Sequence, residues 1–361
     1  MPGLDGLRAV SILMVIYSHL SVTHVLPHIL RASTLGSSAV IIFFVLSGFL
    51  ITSQLKTELK RTGNIRFKDF YIRRIFRLIP ALLLMLATAE VMGAFGLIPV
   101  AHIDVIRGLT YTADYFHPVY WTLAHLWSLS VEEQFYIIWP ILLVFAGLTG
   151  SRRFAILAIL LCPVFRAIGW YAGVDEALVF RRFEMVADSL AFGCLFALEY
   201  DRIKNMRLWR IFRPTVIVSA SAALILIWSV IHRFVPAAEI VGRTFISLGA
   251  LLIVACVAFF PESLAATLLS WPPLVWIGKI SYTVYLWQQM FLVATPGVSK
   301  TPLPFPVDLI CVFLISTASY YFYESPLRRF GRRITKEPGG PSVTAQIDIA
   351  PLKMHGVKVQ P

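Results

Sequence analysis

"GLDGLRAVSILMVIYSHLSV", residues 3–22, decides what kind of chain this is. Its middle is aliphatic, yet Arg8 stands near one end and His19 near the other. An apolar helix of this length reads as a membrane span. An ionisable side chain in hydrocarbon is costly enough to mark a functional site by default. Arg8 and His19 are eleven residues apart, about three turns and ~16 Å along a helix axis. At ~100° per residue they project from nearly the same face. The plainer reading is two polar side chains snorkelling to opposite interfaces, with Asp5 as the ion-pair partner of Arg8.

Outward from this segment the chain keeps the same character. Of 361 residues, 58% are hydrophobic and only 14% charged, with mean hydropathy +0.75. A soluble domain carries about 25% charged residues, so an all-α polytopic membrane protein is expected. Ten apolar stretches read as spans: 6–22, 37–54, 78–98, 127–147, 154–171, 185–199, 214–231, 244–260, 276–294 and 305–323. The net charge of +12 fits basic loops rather than a nucleic-acid surface.

Lysine and arginine crowd the connections after spans two, four, six and ten: Lys56–Arg77, Arg152–Arg153, Arg202–Arg213 and Arg328–Lys336. The other connections hold only Arg31, Arg107, Arg181, Arg182, Arg233, Arg243 and Lys300. By the positive-inside rule both termini are then cytoplasmic. The first segment lacks a basic n-region and a small-residue cleavage site, so it is expected to be retained. Residues 1–335 form the membrane domain in this reading, and the Pro/Gly-rich stretch 336–361 is a disordered cytoplasmic tail. The four cysteines lie in apolar stretches without metal-ligand spacing, as reduced core residues do.

Four further constellations carry chemistry. "WTLAHLWSLSVEEQFYIIWPILL" (121–143) sets Glu132 and Glu133 inside a span, with Tyr136 one turn on. Such carboxylates need a partner or a wet cavity; one near His19 would orient its imidazole, while a structural ion pair is the alternative. "YIRRIFRLIP" (71–80) puts Arg73, Arg74 and Arg77 on about one turn. Guanidinium forks suit phosphate, and topology or anionic lipid headgroups explain them equally well. "IGKISYTVYLWQQMFL" (277–292) places Ser281, Tyr282, Tyr285 and Gln288 on one apolar helix, for substrate or for interhelical hydrogen bonds. Asp188, in "RRFEMVADSLAFGCL", is a similar case: it lines a cavity or pairs within the bundle.

Taken together, these segments resemble the acyltransferase-3 family of integral-membrane O-acyltransferases. The arginine, ten residues and histidine of the first span resemble its first motif. "FFVLSGFLIT" (43–52), "RRIFRLIP" (73–80), "LWSLSVEEQFYIIWP" (126–140), "ISYTVYLW" (280–287) and "YESPLRRF" (323–330) follow in the family's order. The resemblance implies a multi-pass protein of the bacterial inner membrane. It would transfer an acyl group, usually acetyl, from cytoplasmic acyl-CoA to a hydroxyl of a surface or secreted glycan, or of a secondary metabolite. No permanently bound cofactor or metal is implied; acyl-CoA (acetyl-CoA) is the donor substrate. His19 would be the essential histidine, with Arg8 and Glu132 beside it in catalysis. Arg73, Arg74 and Arg77 would hold the donor, and Glu133, Tyr136, Asp188, Ser281, Tyr282, Tyr285 and Gln288 would line the substrate path.

One departure stands out. Where many members read "YLWH", this chain has Gln288, which is neither acid nor base. Two routes stay open: His19 deprotonates the acceptor hydroxyl for direct attack on the thioester, or it carries the acyl group as a covalent intermediate. Proton-coupled transport without chemistry also uses buried His, Arg and Glu, but it lacks here the paired Gly/Pro-interrupted spans of transporter sites.

Overall fold

A computed structural model describes residues 1–22, 35–211, 213–231, 238–292 and 303–335. Among these residues the regular structure is entirely helical. Arg31, Arg233, Lys300 and the tail from 336 lie outside the described residues.

The first three helices are α1 (Pro2–Val22), α2 (Leu35–Thr62) and α3 (Phe67–Ala94). Pro2 opens α1 where its missing amide proton costs no intrahelical bond, and Asp5 adds a negative charge to the first turn. Short α4 (His102–Leu109), a 3₁₀ turn at Ala113–Tyr115 and α5 (Trp121–Ala124) lead into α6 (Leu126–Tyr171). Then come α7 (Glu176–Val179), α8 (Phe183–Leu198), α9 (Tyr200–Lys204), α10 (Leu208–Ile211), α11 (Pro214–Ile231) and α12 (Glu239–Phe259). The chain continues through α13 (Leu264–Leu269), α14 (Pro272–Phe291) and α15 (Val307–Ala318), then a π-helical turn at Ser319–Glu324 and α16 (Ser325–Ile334).

Among the described residues, five helical segments are long and apolar enough to cross a membrane: Leu35–Thr62, Phe67–Ala94, Trp121–Tyr171, Glu239–Phe259 and Val307–Ile334. Their surfaces agree with lipid as solvent. In Trp121–Tyr171 only 22% of the most apolar window is buried, and Phe145 is 84% and Phe322 85% exposed. Apolar faces of that extent are tolerated by hydrocarbon, not by water.

The segment expected to link spans four and five is corrected by α6, which resumes helical conformation directly after Gly147. Gly147 has φ 63°, a left-handed value that glycine reaches without a Cβ penalty. A straight helix would set Leu142 and Ser151 ~13 Å apart along its axis. Ser151 Oγ instead lies 3.4 Å from the Leu142 carbonyl oxygen, so the chain folds back there.

Two packings position the site. Helix α1 lies along α14 and α2: Ile12, Val15, Ile16 and Leu20 pack with Ala39, Ile280, Val284 and Leu292. A side chain on Gly278 would run into the Asp5 carbonyl, so its absence lets the two backbones touch. That contact sets His19 opposite the end of α14. Helix α2 also packs on α8, where Phe49 meets Phe196.

Candidate active site

His19 projects from the last turn of α1 into a cavity of about 610 Å³. Residues of α1, the start of α2, α5, α14 and the α7 and α12 region line this space. The Nδ1 of His19 is 2.5 Å from Gln288 Oε1, and the Nε2 of the same ring is 3.5 Å from Gln289 Nε2. Trp121 closes one side, edge-on to the imidazole at 4.9 Å between centroids. Its own indole N–H donates to the Leu292 carbonyl at 2.8 Å, tying α5 to the end of α14.

A second histidine shares the cavity. His125 precedes α6 and is 3% exposed. Gln289 Oε1 accepts from its main-chain N–H at 3.0 Å and faces its Nδ1 at 2.7 Å. The Tyr285 hydroxyl donates to the His125 carbonyl at 3.0 Å and lies 2.6 Å from Ser128 Oγ. Also on the wall, His117 meets Asp175 at 3.1 Å and Arg243 meets Glu239 at 3.1 Å, and Arg181 lines the same cavity. Burial, and after it the charge of Arg243, lowers the pKa of the Arg181 guanidinium.

The arginines gather at the other end of α1. Arg77 sits in the combined field of Arg8, Arg328 and Arg74. Arg74 lies 3.2 Å above the Tyr136 ring and 3.6 Å from Glu133 Oε1, an ion pair longer than a hydrogen bond. Arg74 Nε and Glu133 Oε1 are buried without a hydrogen-bond partner among the described residues. Glu132 points elsewhere. It accepts a 2.5 Å hydrogen bond from Ser47 on α2 and feels Arg74, Arg8 and Arg77. Arg8 is 3.9 Å from Asp5, and Arg73 is half-buried on the neighbouring flank.

The structure therefore sorts the residues singled out in the sequence into two groups. Arg8, Arg74, Arg77, Glu132, Glu133 and Tyr136 come together, while His19 stands apart with Gln288 and Tyr285 near it. The partner on His19 Nδ1 is an amide and not the expected carboxylate. Tyr282 ties α14 to α3 by donating to the Leu78 carbonyl at 3.0 Å. Ser281 is buried at 6% exposure, and neither residue lines the cavity.

Asp188 is sealed rather than facing the cavity: Arg166 NH2 donates to it at 2.8 Å, Thr244 Oγ1 donates at 2.7 Å, and both charged side chains are 0% exposed. His125, Gln289, Trp121 and Arg166 were missed in the sequence. One signal was present for the first: His125, Ser128, Glu132 and Tyr136 are spaced three, four and four residues apart, a single stripe along α6. That stripe runs from the cavity to the arginines.

Comparison with known proteins identifies the family. The acyltransferase-3 family's acyltransferase domain matches residues 1–324. The chain is 34% identical over 360 residues to the putative peptidoglycan O-acetyltransferase YrhL of Bacillus subtilis, covering 92% of this chain and 55% of that one. It is 29% identical over 358 residues to the peptidoglycan O-acetyltransferase OatA of Listeria monocytogenes, covering 91% and 56%. It is 31% identical to the putative O-acetyltransferase SAS0844 of Staphylococcus aureus, covering 92% and 58%. The chain thus spans a little over half the length of these curated relatives. No solved structure matches it. With a matching family domain over nearly all of its helical body, the chain belongs to the acyltransferase-3 family.

Proposed function

We propose that this protein is a membrane O-acyltransferase that moves an acetyl group from acetyl-CoA to a hydroxyl of a cell-envelope glycan. The names of two of its relatives favour peptidoglycan as the acceptor class. The proposed setting is the bacterial inner membrane, with ten spans and both termini in the cytoplasm, as the lysine and arginine distribution favours. The Arg8, Arg74 and Arg77 end then faces the pool of acyl-CoA. The observation that carries this reading is the pairing on α1: a guanidinium cluster at one end and an imidazole in a cavity at the other.

Each end has work that suits it. Guanidinium forks grip phosphate oxygens bidentately, and the unpartnered Arg74 Nε offers a further N–H for an anionic donor. Glu132 and Glu133 balance these cations, which would otherwise repel one another between substrate molecules. His19 is the reacting side chain, and its cavity holds the acceptor hydroxyl away from bulk water. The chemistry is tested with purified full-length protein in lipid nanodiscs, given acetyl-CoA and peptidoglycan fragments. Release of free thiol together with acetylated glycan is expected. Absence of both from correctly inserted protein would contradict the reading.

A further inference from the structure

The family histidine missing at position 288 raises the question of what Gln288 does, and Gln289 beside it sharpens that question. Both side chains reach the same imidazole, although adjacent helix residues diverge by ~100°. They do so because His19 sits between them, with Nδ1 towards Gln288 and Nε2 towards Gln289.

Gln289 has only one reasonable orientation. The main-chain N–H of His125 is always a donor, so the Gln289 atom 3.0 Å from it is the amide oxygen. Its NH₂ then faces His19, which makes Nε2 an acceptor. A neutral imidazole with a lone pair on Nε2 carries its proton on Nδ1. There it meets Gln288 Oε1, an acceptor at 2.5 Å. The assignment rests on Gln289; Gln288, whose Nε2 is buried without a hydrogen-bond partner among the described residues, agrees with it by turning Oε1 to that proton.

We propose that Gln288 and Gln289 are positioning residues that lock His19 in the Nδ1–H tautomer and present Nε2 as the reacting nitrogen. This deepens the acyltransferase reading and rests on it for the meaning of "reacting", while the tautomer itself does not. The two contacts differ in strength, and that difference is useful. The Gln288 bond is short, with Gln288 itself 0% exposed. The Gln289 contact, at 3.5 Å, is loose enough for a substrate atom to displace. Gln289 also lines the cavity and Gln288 does not, so the open side of the ring is the Nε2 side. Anchoring through the His125 main-chain N–H, with the His125 Nδ1 beside it, makes the orientation a property of the α5–α6 junction.

The test uses full-length protein in nanodiscs with ¹⁵N-labelled histidine. Subtracting the solid-state NMR spectrum of His19→Gln from that of wild type isolates the His19 ring nitrogens. A protonated Nδ1 and an unprotonated Nε2 are expected; the reverse would overturn the proposal without any reference to activity. Gln288→Leu should populate the other tautomer and lower kcat by at least about tenfold, with the KM for acetyl-CoA unchanged. A wrong tautomer at a catalytic histidine costs as much as about 10⁴-fold. Gln288→Glu keeps an acceptor at Nδ1 and should restore the Nδ1–H signal together with most of kcat. Equal losses in both variants with an unchanged tautomer would return Gln288 to structure alone. If wild type shows the predicted tautomer yet transfers nothing, the lock stands and the acyltransferase reading falls.

Discussion

Arginine and lysine carry the same charge but different geometry, and the cluster around Arg74 exploits that difference. Its planar guanidinium lies 3.2 Å above Tyr136 while its edge meets Glu133, an arrangement an ammonium does not reproduce. Arg74→Lys/Arg77→Lys should therefore insert normally, since the positive-inside rule counts both residue types. Its KM for acetyl-CoA should rise about tenfold, the low end for lost charge-assisted bonds, while the acceptor KM stays put. Steady-state kinetics checks this, and an unchanged donor KM would leave the pair with topology alone. At this scale the sequence was informative where a residue type is costly in lipid. Arg8, His19, Glu132 and Arg74 announce themselves because each is costly in hydrocarbon, although snorkelling, topology and structural ion pairing also account for them. Gln289 and His125 did not, since their roles depend on a contact between residues 164 apart in sequence. Neither residue type is rare enough to force the question.

The pairing of Asp188 belongs to the level of helices. Its carboxylate holds α8 to the second arm of α6 through Arg166 and to α12 through Thr244. Removing one member of a fully buried ion pair strands the other, typically at about 3–5 kcal/mol, whereas an apolar replacement of both is often neutral. Asp188→Ala should thus lower the thermal midpoint in detergent sharply, and Asp188→Leu/Arg166→Met should recover most of it. A normal midpoint in Asp188→Ala with a raised acceptor KM would instead make it a cavity residue. Hydropathy located the apolar helices because a span must be apolar along its length. It ended one span at 147 and began the next at 154, but did not reveal that the turn between them is a single glycine conformation with helix resuming directly after it. Nor did it reveal that Asp188 faces Arg166, because a lone acid in an apolar run looks the same whether it meets a cation or water.

Across the whole molecule, the account needs the arginine end in the cytoplasm and the His19 cavity towards the opposite face. A reporter that works only in the cytoplasm should be active when fused at Lys336 and silent when placed in the 295–304 segment. The inverse pattern would move Arg74 and Arg77 away from acyl-CoA and remove the donor assignment. The central claim is that His19 carries out acyl transfer, and it is tested by one comparison in nanodiscs. Acetyl-CoA and peptidoglycan fragments are supplied to wild type, His19→Ala and His19→Gln at matched, correctly folded amounts, and acetylated glycan is counted by mass spectrometry. A positioned acid–base side chain is worth roughly 10²–10⁴-fold, so both variants should fall by that much while wild type turns over. His19→Gln should fail as fully as His19→Ala, because an amide forms hydrogen bonds but neither takes a proton nor carries an acyl group. Retention of more than about a tenth of the wild-type rate in either variant, well above that range, would contradict the account.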